Sequence, residues 1–207
     1  MKKNIDTHII IYLSILFLFS VFFLFQKHEV ANDSTISEWL INYEGGFTKR
    51  GLIGQCAIYL SKLLAINLRD TIFILQTLLV GIYFFLIFHF LKNILYNKVF
   101  IFAIFTPIFI LYPIAEIEVL ARKELFIFIY ILIYTFIPIR KKEYKFYYKF
   151  FLFPITILIW EPIIFFILFF LFLDLIENNI TRINKLFFFQ IFSYTPSVLL
   201  AFYIALN

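Results

Sequence analysis

Cysteine occurs once in this chain of 207 residues, at Cys56, which excludes an internal disulfide and any metal site built from several thiolates. The three histidines, His8, His28 and His89, stand too far apart to supply a ligand pair of the H-E-x-x-H kind. Charge is thin as well: 15% of the residues are Asp, Glu, Lys or Arg, where a globular domain carries about 25%. Glycine is limited to five positions. The net charge of +5 does not point to nucleic acid, because the cations lie mostly between apolar runs and are not gathered on one amphipathic or aromatic-interleaved soluble segment.

What remains is hydrocarbon: 63% of the residues are hydrophobic and the mean hydropathy is +0.96, the composition of a membrane protein. The 32 phenylalanines rise together with Ile, Lys, Asn and Tyr, as in an AT-rich gene, so their number identifies no ligand. A helix needs roughly 20 mostly apolar residues to cross a bilayer. The expected fold is an all-α polytopic helix bundle, a single integral membrane domain over 1–207, with about six transmembrane helices. The spans fall near 9–25, 71–91, 99–115, 125–139, 150–173 and 186–206. The first follows Lys2 and Lys3 and has no small-residue cleavage site after it, so it reads as a retained anchor and not a signal peptide.

Orientation follows from Lys and Arg in the short loops. The stretch "RKKEYKFYYK" between the fourth and fifth spans is the strongest inside marker and places the N-terminus in the cytoplasm. Six crossings then bring both ends inside and leave 26–70 facing outward. That segment is expected to hold two short interfacial helices. In the first, Ile36, Trp39, Leu40 and Tyr43 share a face, Ser34 or Thr35 is the cap, and Glu38 completes a capping-box spacing with Thr35. The second carries Leu52, Ile53, Cys56, Ala57, Leu60, Leu63 and Leu64.

Glycine and charge concentrate together in "YEGGFTKRGLIG", residues 43–54. A turn at Gly45 and Gly46 can leave backbone N–H groups free for an anion, and Lys49 and Arg50 add a point charge and a bidentate fork suited to phosphate. The same residues also suit a simple turn with basic side chains reaching lipid head groups. In "EIEVLARKE", residues 116–124, helical spacing puts Glu118 and Arg122 on one face. There Arg122 or Lys123 is a second phosphate contact, or the segment is a solvated helix end. "WEP" at Trp160–Pro162 sets a carboxylate, Glu161, and a kink-forming proline inside an apolar run, where an acid usually faces a bundle interior or a cavity. His89 reads as an interfacial or packed side chain.

"EWLINYEGGFTKRGLIGQ", "ARKE" and the carboxylate in span five resemble bacterial multi-spanning proteins of surface-polysaccharide biosynthesis. These are O-antigen polymerases and, more loosely, C-type-fold membrane glycosyltransferases that use polyprenyl-linked sugars. The resemblance implies an acidic catalytic residue in the first outward loop, Glu44 or Glu38. It also implies that Lys49, Arg50, Arg122 and Lys123 bind the lipid pyrophosphate, with Glu161 a further catalytic candidate. The expected activity is glycosyl transfer or repeat-unit polymerisation from a polyprenyl-pyrophosphate-linked oligosaccharide at the outer face of the inner membrane. Membrane lipid and other polysaccharide-assembly proteins are the expected partners, and nucleic acid is not. No cofactor or metal site is indicated, although the abundance of carboxylates would suit Mg or Mn. Such enzymes usually have more spans than this chain offers, so a truncated product or one part of a larger assembly is also expected. The alternative reading is a non-catalytic transporter or assembly subunit with an intramembrane carboxylate.

Overall fold

A computed structural model describes residues 2–30, 33–92, 112–177 and 185–206. The described residues are helical, with no strands among them. Among the described residues three helices are long and apolar enough to cross a membrane: Thr7–Glu29, Leu68–Lys92 and Phe187–Leu206. The expected span 99–115 lies largely outside the described residues.

The first helix, α1 (Lys2–Glu29), packs along α4 (Leu68–Lys92). Between them in sequence lie α2 (Ser34–Leu40) and α3 (Leu52–Leu64). Asp33, and not Ser34 or Thr35, caps α2: its carboxylate accepts the N–H groups of Thr35 at 2.8 Å and Ile36 at 3.2 Å, two of the donors every helix start leaves orphaned. Glu38 is thereby left out of a capping box. Helix α2 stops at Leu40, so Tyr43 is not on its face; Ile36 and Trp39 are buried and Leu40 is exposed. On α3 the buried side is Gly54, Ala57 and Ile58, whereas Cys56, Leu63 and Leu64 of the expected face are exposed. The reason is Gly54, where an added Cβ would stand 2.0 Å from the carbonyl oxygen of Ile41. Only glycine lets α3 come that close to the end of α2, and this contact fixes which side of α3 turns inward.

A helical turn, α5 (Tyr112–Ala115), and a 3₁₀ turn (Ile117–Val119) lead into α6 (Leu125–Phe136). The expected helical pairing of Glu118 with Arg122 is absent, because the backbone leaves helical geometry at Ala121, which has φ 53°. Helix α6 ends at Phe136, short of 139. Ile137 is extended, as the residue before a proline prefers to be, and Pro138 follows. Its two sides build two cores. Leu125, Ile129 and Leu132 join α1 and α4, while Ile127, Tyr130 and Tyr134 join Phe153, Ile157, Ile163 and Phe170.

The segment expected as one crossing at 150–173 is instead folded back on itself. Helix α7 (Lys142–Tyr147) runs through a π turn (Tyr148–Leu152) into α8 (Phe153–Ile159). The chain is extended at Trp160, forms a 3₁₀ turn (Glu161–Phe165) and returns as α9 (Phe166–Glu177). Lys149 Nζ lies 2.6 Å from Asp174 Oδ2, although a straight helix would hold these residues about 37 Å apart. Lys145 and Glu177 pair alongside. Both ends of the segment therefore meet at one end of the bundle, and Glu161 rides at the tip. Pro162, which cannot donate a backbone hydrogen bond, stands at the break.

The last span divides into α10 (Lys185–Phe192) and α11 (Thr195–Leu206), with Pro196 in the first turn of α11, where its missing N–H is harmless. Gln190 bonds Lys149 at the base of the hairpin, whereas Tyr203 packs on Phe47 with ring centroids 5.5 Å apart. The 185–206 segment thus runs from the hairpin base to the glycine-containing loop. Its far end lies at that loop and not, as six crossings require, at the end of the bundle where α1 begins.

Candidate functional site

At the end of the bundle carrying the hairpin tip, six charged residues from four separate stretches of sequence converge. Arg50 donates from Nε to Glu161 Oε2 at 2.6 Å. Arg122 holds Glu38 through two hydrogen bonds, Nη2 to Oε1 at 2.7 Å and Nε to Oε2 at 3.3 Å, and its Nη2 also lies 3.3 Å from Glu124 Oε1. Lys123 Nζ donates to the carbonyl oxygen of Arg50 at 2.6 Å. Three cations and three carboxylates thus share one region, and Lys123 is within electrostatic reach of Glu38, Arg50, Glu161 and Glu124.

Local backbone geometry builds this cluster. Arg50 and Ala121 both adopt the left-handed conformation, with φ 65° and 53°, which costs a non-glycine residue about 1 kcal/mol or more. Each is held by a side chain bonded to its carbonyl. Lys123 grips Arg50, and the Trp39 indole N–H donates to Ala121 O at 3.0 Å. Trp39 is buried, so α2 anchors the turn that aims Arg122 and Lys123.

The loop before Arg50 is ordered by its own hydrogen bonds. Thr48 Oγ1 donates to Asn42 O at 2.7 Å, and Tyr43 N donates to Gln55 Oε1 at 3.0 Å. Tyr43 also covers Gly51, where a Cβ would meet its ring at 2.3 Å. The glycine in that position lets the loop close under the tyrosine.

Electrostatics distinguish the cations. Burial lowers the Lys123 ammonium to about 8, and the side chain has no exposed surface. Hydrogen bonds donated to the carboxylates of Glu161 and Glu38 raise the guanidinium groups of Arg50 and Arg122, respectively. Both arginines are about a third exposed, so solvent reaches them.

Of the residues singled out in the sequence, Glu38, Arg50, Arg122, Lys123 and Glu161 come together. Glu44 does not: it is exposed and pairs with Lys62 at 3.0 Å. Gly45 and Gly46 occupy an exposed turn in which Gly46 N–H donates to Tyr43 O at 3.1 Å, so this donor is not left free for an anion. Lys49 is exposed but close enough to act electrostatically on Glu161. Lys123, read as a phosphate contact, is a buried brace. Glu124 was not singled out, although its place in "ARKE" beside Arg122 was a usable signal. Its Oε2 is buried without a hydrogen-bond partner among the described residues. Among those residues, no group of three or more His, Cys, Asp and Glu side chains lies close enough to hold a metal ion.

A second polar group lies at the hairpin base and had no sequence signal as a cluster. Lys149 and Asp174 are fully buried, Gln190 and Lys149 are bonded, and the hydroxyls of Tyr134 and Tyr194 both donate to Asp174. Every ionised atom here has a partner, as burial in an apolar core demands.

No family model matches this chain, and neither does any curated protein or solved structure.

Proposed function

We propose that this chain is an integral protein of a bacterial inner membrane that acts on a polyprenyl-pyrophosphate-linked oligosaccharide, transferring or polymerising sugar units at the outer face. The observation that supports it is the convergence of Arg50, Arg122, Glu38, Glu124 and Glu161 beside a bundle of membrane-length apolar helices. In this reading a carboxylate of the cluster takes the proton of an acceptor hydroxyl. The hydroxyl oxygen bonds to the anomeric carbon as the bond from that carbon to the pyrophosphate oxygen breaks. Polyprenyl pyrophosphate leaves, and Arg50 and Arg122 stabilise the charge it gains. Among the described residues Glu124, with an oxygen lacking a donor, and Glu38 are the carboxylates paired with Arg122. A magnesium or manganese ion bound with the diphosphate is compatible with this chemistry. The basic stretch at 140–149 and Lys185, both at the hairpin-base end, favour that end as cytoplasmic.

The test is purified protein in proteoliposomes supplied with the lipid-linked oligosaccharide, with products resolved by mass. Formation of a longer lipid-linked chain, reduced about a hundredfold in Arg122→Ala, is expected. Absence of product above protein-free liposomes sinks the transfer reading.

The buried Lys149–Asp174 pair favours a second reading, in which the chain is a transporter or assembly subunit and an intramembrane acid is coupled to movement. Under that reading lipid-linked units move between leaflets in the same liposomes without lengthening.

A further inference from the structure

We propose that Glu161 is the resident occupant of an anion site centred on Arg50, and that a phosphate or pyrophosphate group displaces its carboxylate from the guanidinium. The inference rests on the reading above for one point only, that the ligand at this end of the bundle carries a diphosphate.

The guanidinium is a planar fork with five N–H donors, matched to oxyanions. Among the described residues only Nε is engaged, by Glu161 Oε2, and the side chain is 32% exposed, so an anion from solvent can reach the remaining donors. Lys49 is exposed next to it and adds a second positive charge.

The arginine side of the contact is fixed. Arg50 keeps its left-handed backbone because buried Lys123 holds its carbonyl and Tyr43 closes over Gly51. The glutamate side is the one built to give way. Glu161 stands between an extended residue, Trp160, and a five-residue 3₁₀ turn, where the α-helical hydrogen-bond ladder of α8 has ended and that of α9 has not begun. The arms are held together by Lys149–Asp174 and Lys145–Glu177, and Ile163 of the turn is buried in the core, so the part that can swing is the partly exposed Glu161 side chain.

A diphosphate on the remaining donors of Arg50 repels the Glu161 carboxylate at Nε, so arrival of the ligand expels Glu161 from the pair. The displaced carboxylate then stands beside the bound ligand with its lone pairs free. Until a ligand arrives, the same carboxylate occupies Nε of the guanidinium.

The test uses full-length protein in nanodiscs of phosphatidylcholine, titrated with inorganic pyrophosphate by calorimetry and by tryptophan emission. Trp160 adjoins Glu161, and Trp39 is the other tryptophan. Glu161→Gln is expected to bind pyrophosphate at least tenfold more tightly than the wild type, and Arg50→Ala to bind none. The wild-type emission shift on binding should disappear in Trp160→Phe. Should Glu161→Gln fail to fold, Glu161→Asp, which shortens the latch, is expected to bind several-fold more tightly. Equal or weaker binding by the folded glutamate variant, or unchanged binding by Arg50→Ala, overturns the proposal.

Discs containing phosphatidylglycerol separate the sources of the anion. Loss of the pyrophosphate response there assigns the site to lipid head groups, which leaves the exchange at Arg50 standing and removes the support for a glycan carrier. Tight binding by Glu161→Gln together with no sugar transfer by the wild type in liposomes likewise retains the exchange and rejects only the transfer reading.

Discussion

Arg50 Nε and Glu161 Oε2 meet at 2.6 Å across 111 residues of sequence, joining the loop between α2 and α3 to the tip of a hairpin in the second half of the chain. Each side chain is about 30% exposed, so the pair's stabilising effect is discounted for solvent. A double-mutant cycle with Arg50→Ala and Glu161→Ala is expected to give a coupling of about 1 kcal/mol, read from denaturation in detergent. Strict additivity would mean that the two residues do not interact.

The hairpin is open to a distance measurement. In a Cys56→Ser background, spin labels at the exposed positions Tyr147 and Ile176 should lie well under 25 Å apart, whereas one straight helix would separate them by about 44 Å. A spectrum dominated by the longer distance would contradict the fold-back at Trp160–Phe165.

Breaking the buried pair at the hairpin base should cost far more than breaking the exposed one at its tip. Lys149→Met leaves Asp174 without its ammonium and is expected to destabilise by about 3 to 5 kcal/mol. The double variant with Asp174→Leu should recover a good part of that, because no charge remains buried. A double variant no more stable than the single one would show that the pair's geometry itself is required.

Lys123 makes stability depend on pH in a defined sense. Burial lowers it to about 8 from an unfolded value of 10.5, so between those values the unfolded chain holds the extra proton. Stability contributed at this position therefore rises from about pH 8 toward pH 10.5 and is flat below pH 8. The difference in melting temperature between the wild type and Lys123→Met, followed from pH 7 to 10, should change in the wild type's favour as pH rises. A difference that does not vary would remove the titration from this residue.

Gly54 of α3 and Gly45 of the exposed turn before it should respond in opposite ways. Gly54→Ala drives a Cβ to 2.0 Å from Ile41 O and is expected to cost more than about 2 kcal/mol or to prevent folding. Gly45→Ala, with nothing within 4 Å, should stay within about 0.5 kcal/mol of the wild type. Thermal melts of both variants check the contrast.

Several features of the site were legible because their chemistry is local. An acid in an apolar run, a proline beside it, and glycines next to paired cations are exceptions to their surroundings and mark Glu161 and Arg50, the charge-dense stretch 116–124 marks Arg122, and Glu38 follows only from the resemblance. Glu44 and the Gly45–Gly46 turn looked equally exceptional but fell outside the cluster, since one exposed turn resembles another until its hydrogen bonds are known. Lys123 shows the opposite failure. Composition cannot tell a cation that meets solvent from one folded under a neighbouring carbonyl.

Hydropathy by itself determined that this chain is helical and that several of its helices suit a bilayer, because burying backbone polar groups in hydrocarbon leaves few other solutions. It placed α4 close to its observed limits, 71–91 against Leu68–Lys92, and the core of α1, 9–25 within Lys2–Glu29, where a long apolar run has no competing signal. Whether 150–173 crosses or turns back was settled only by tertiary contacts. A run of apolar residues has the same hydropathy in either geometry, and the fold-back is selected by Lys149 and Asp174, which are costly to bury apart and are satisfied when the two arms lie side by side.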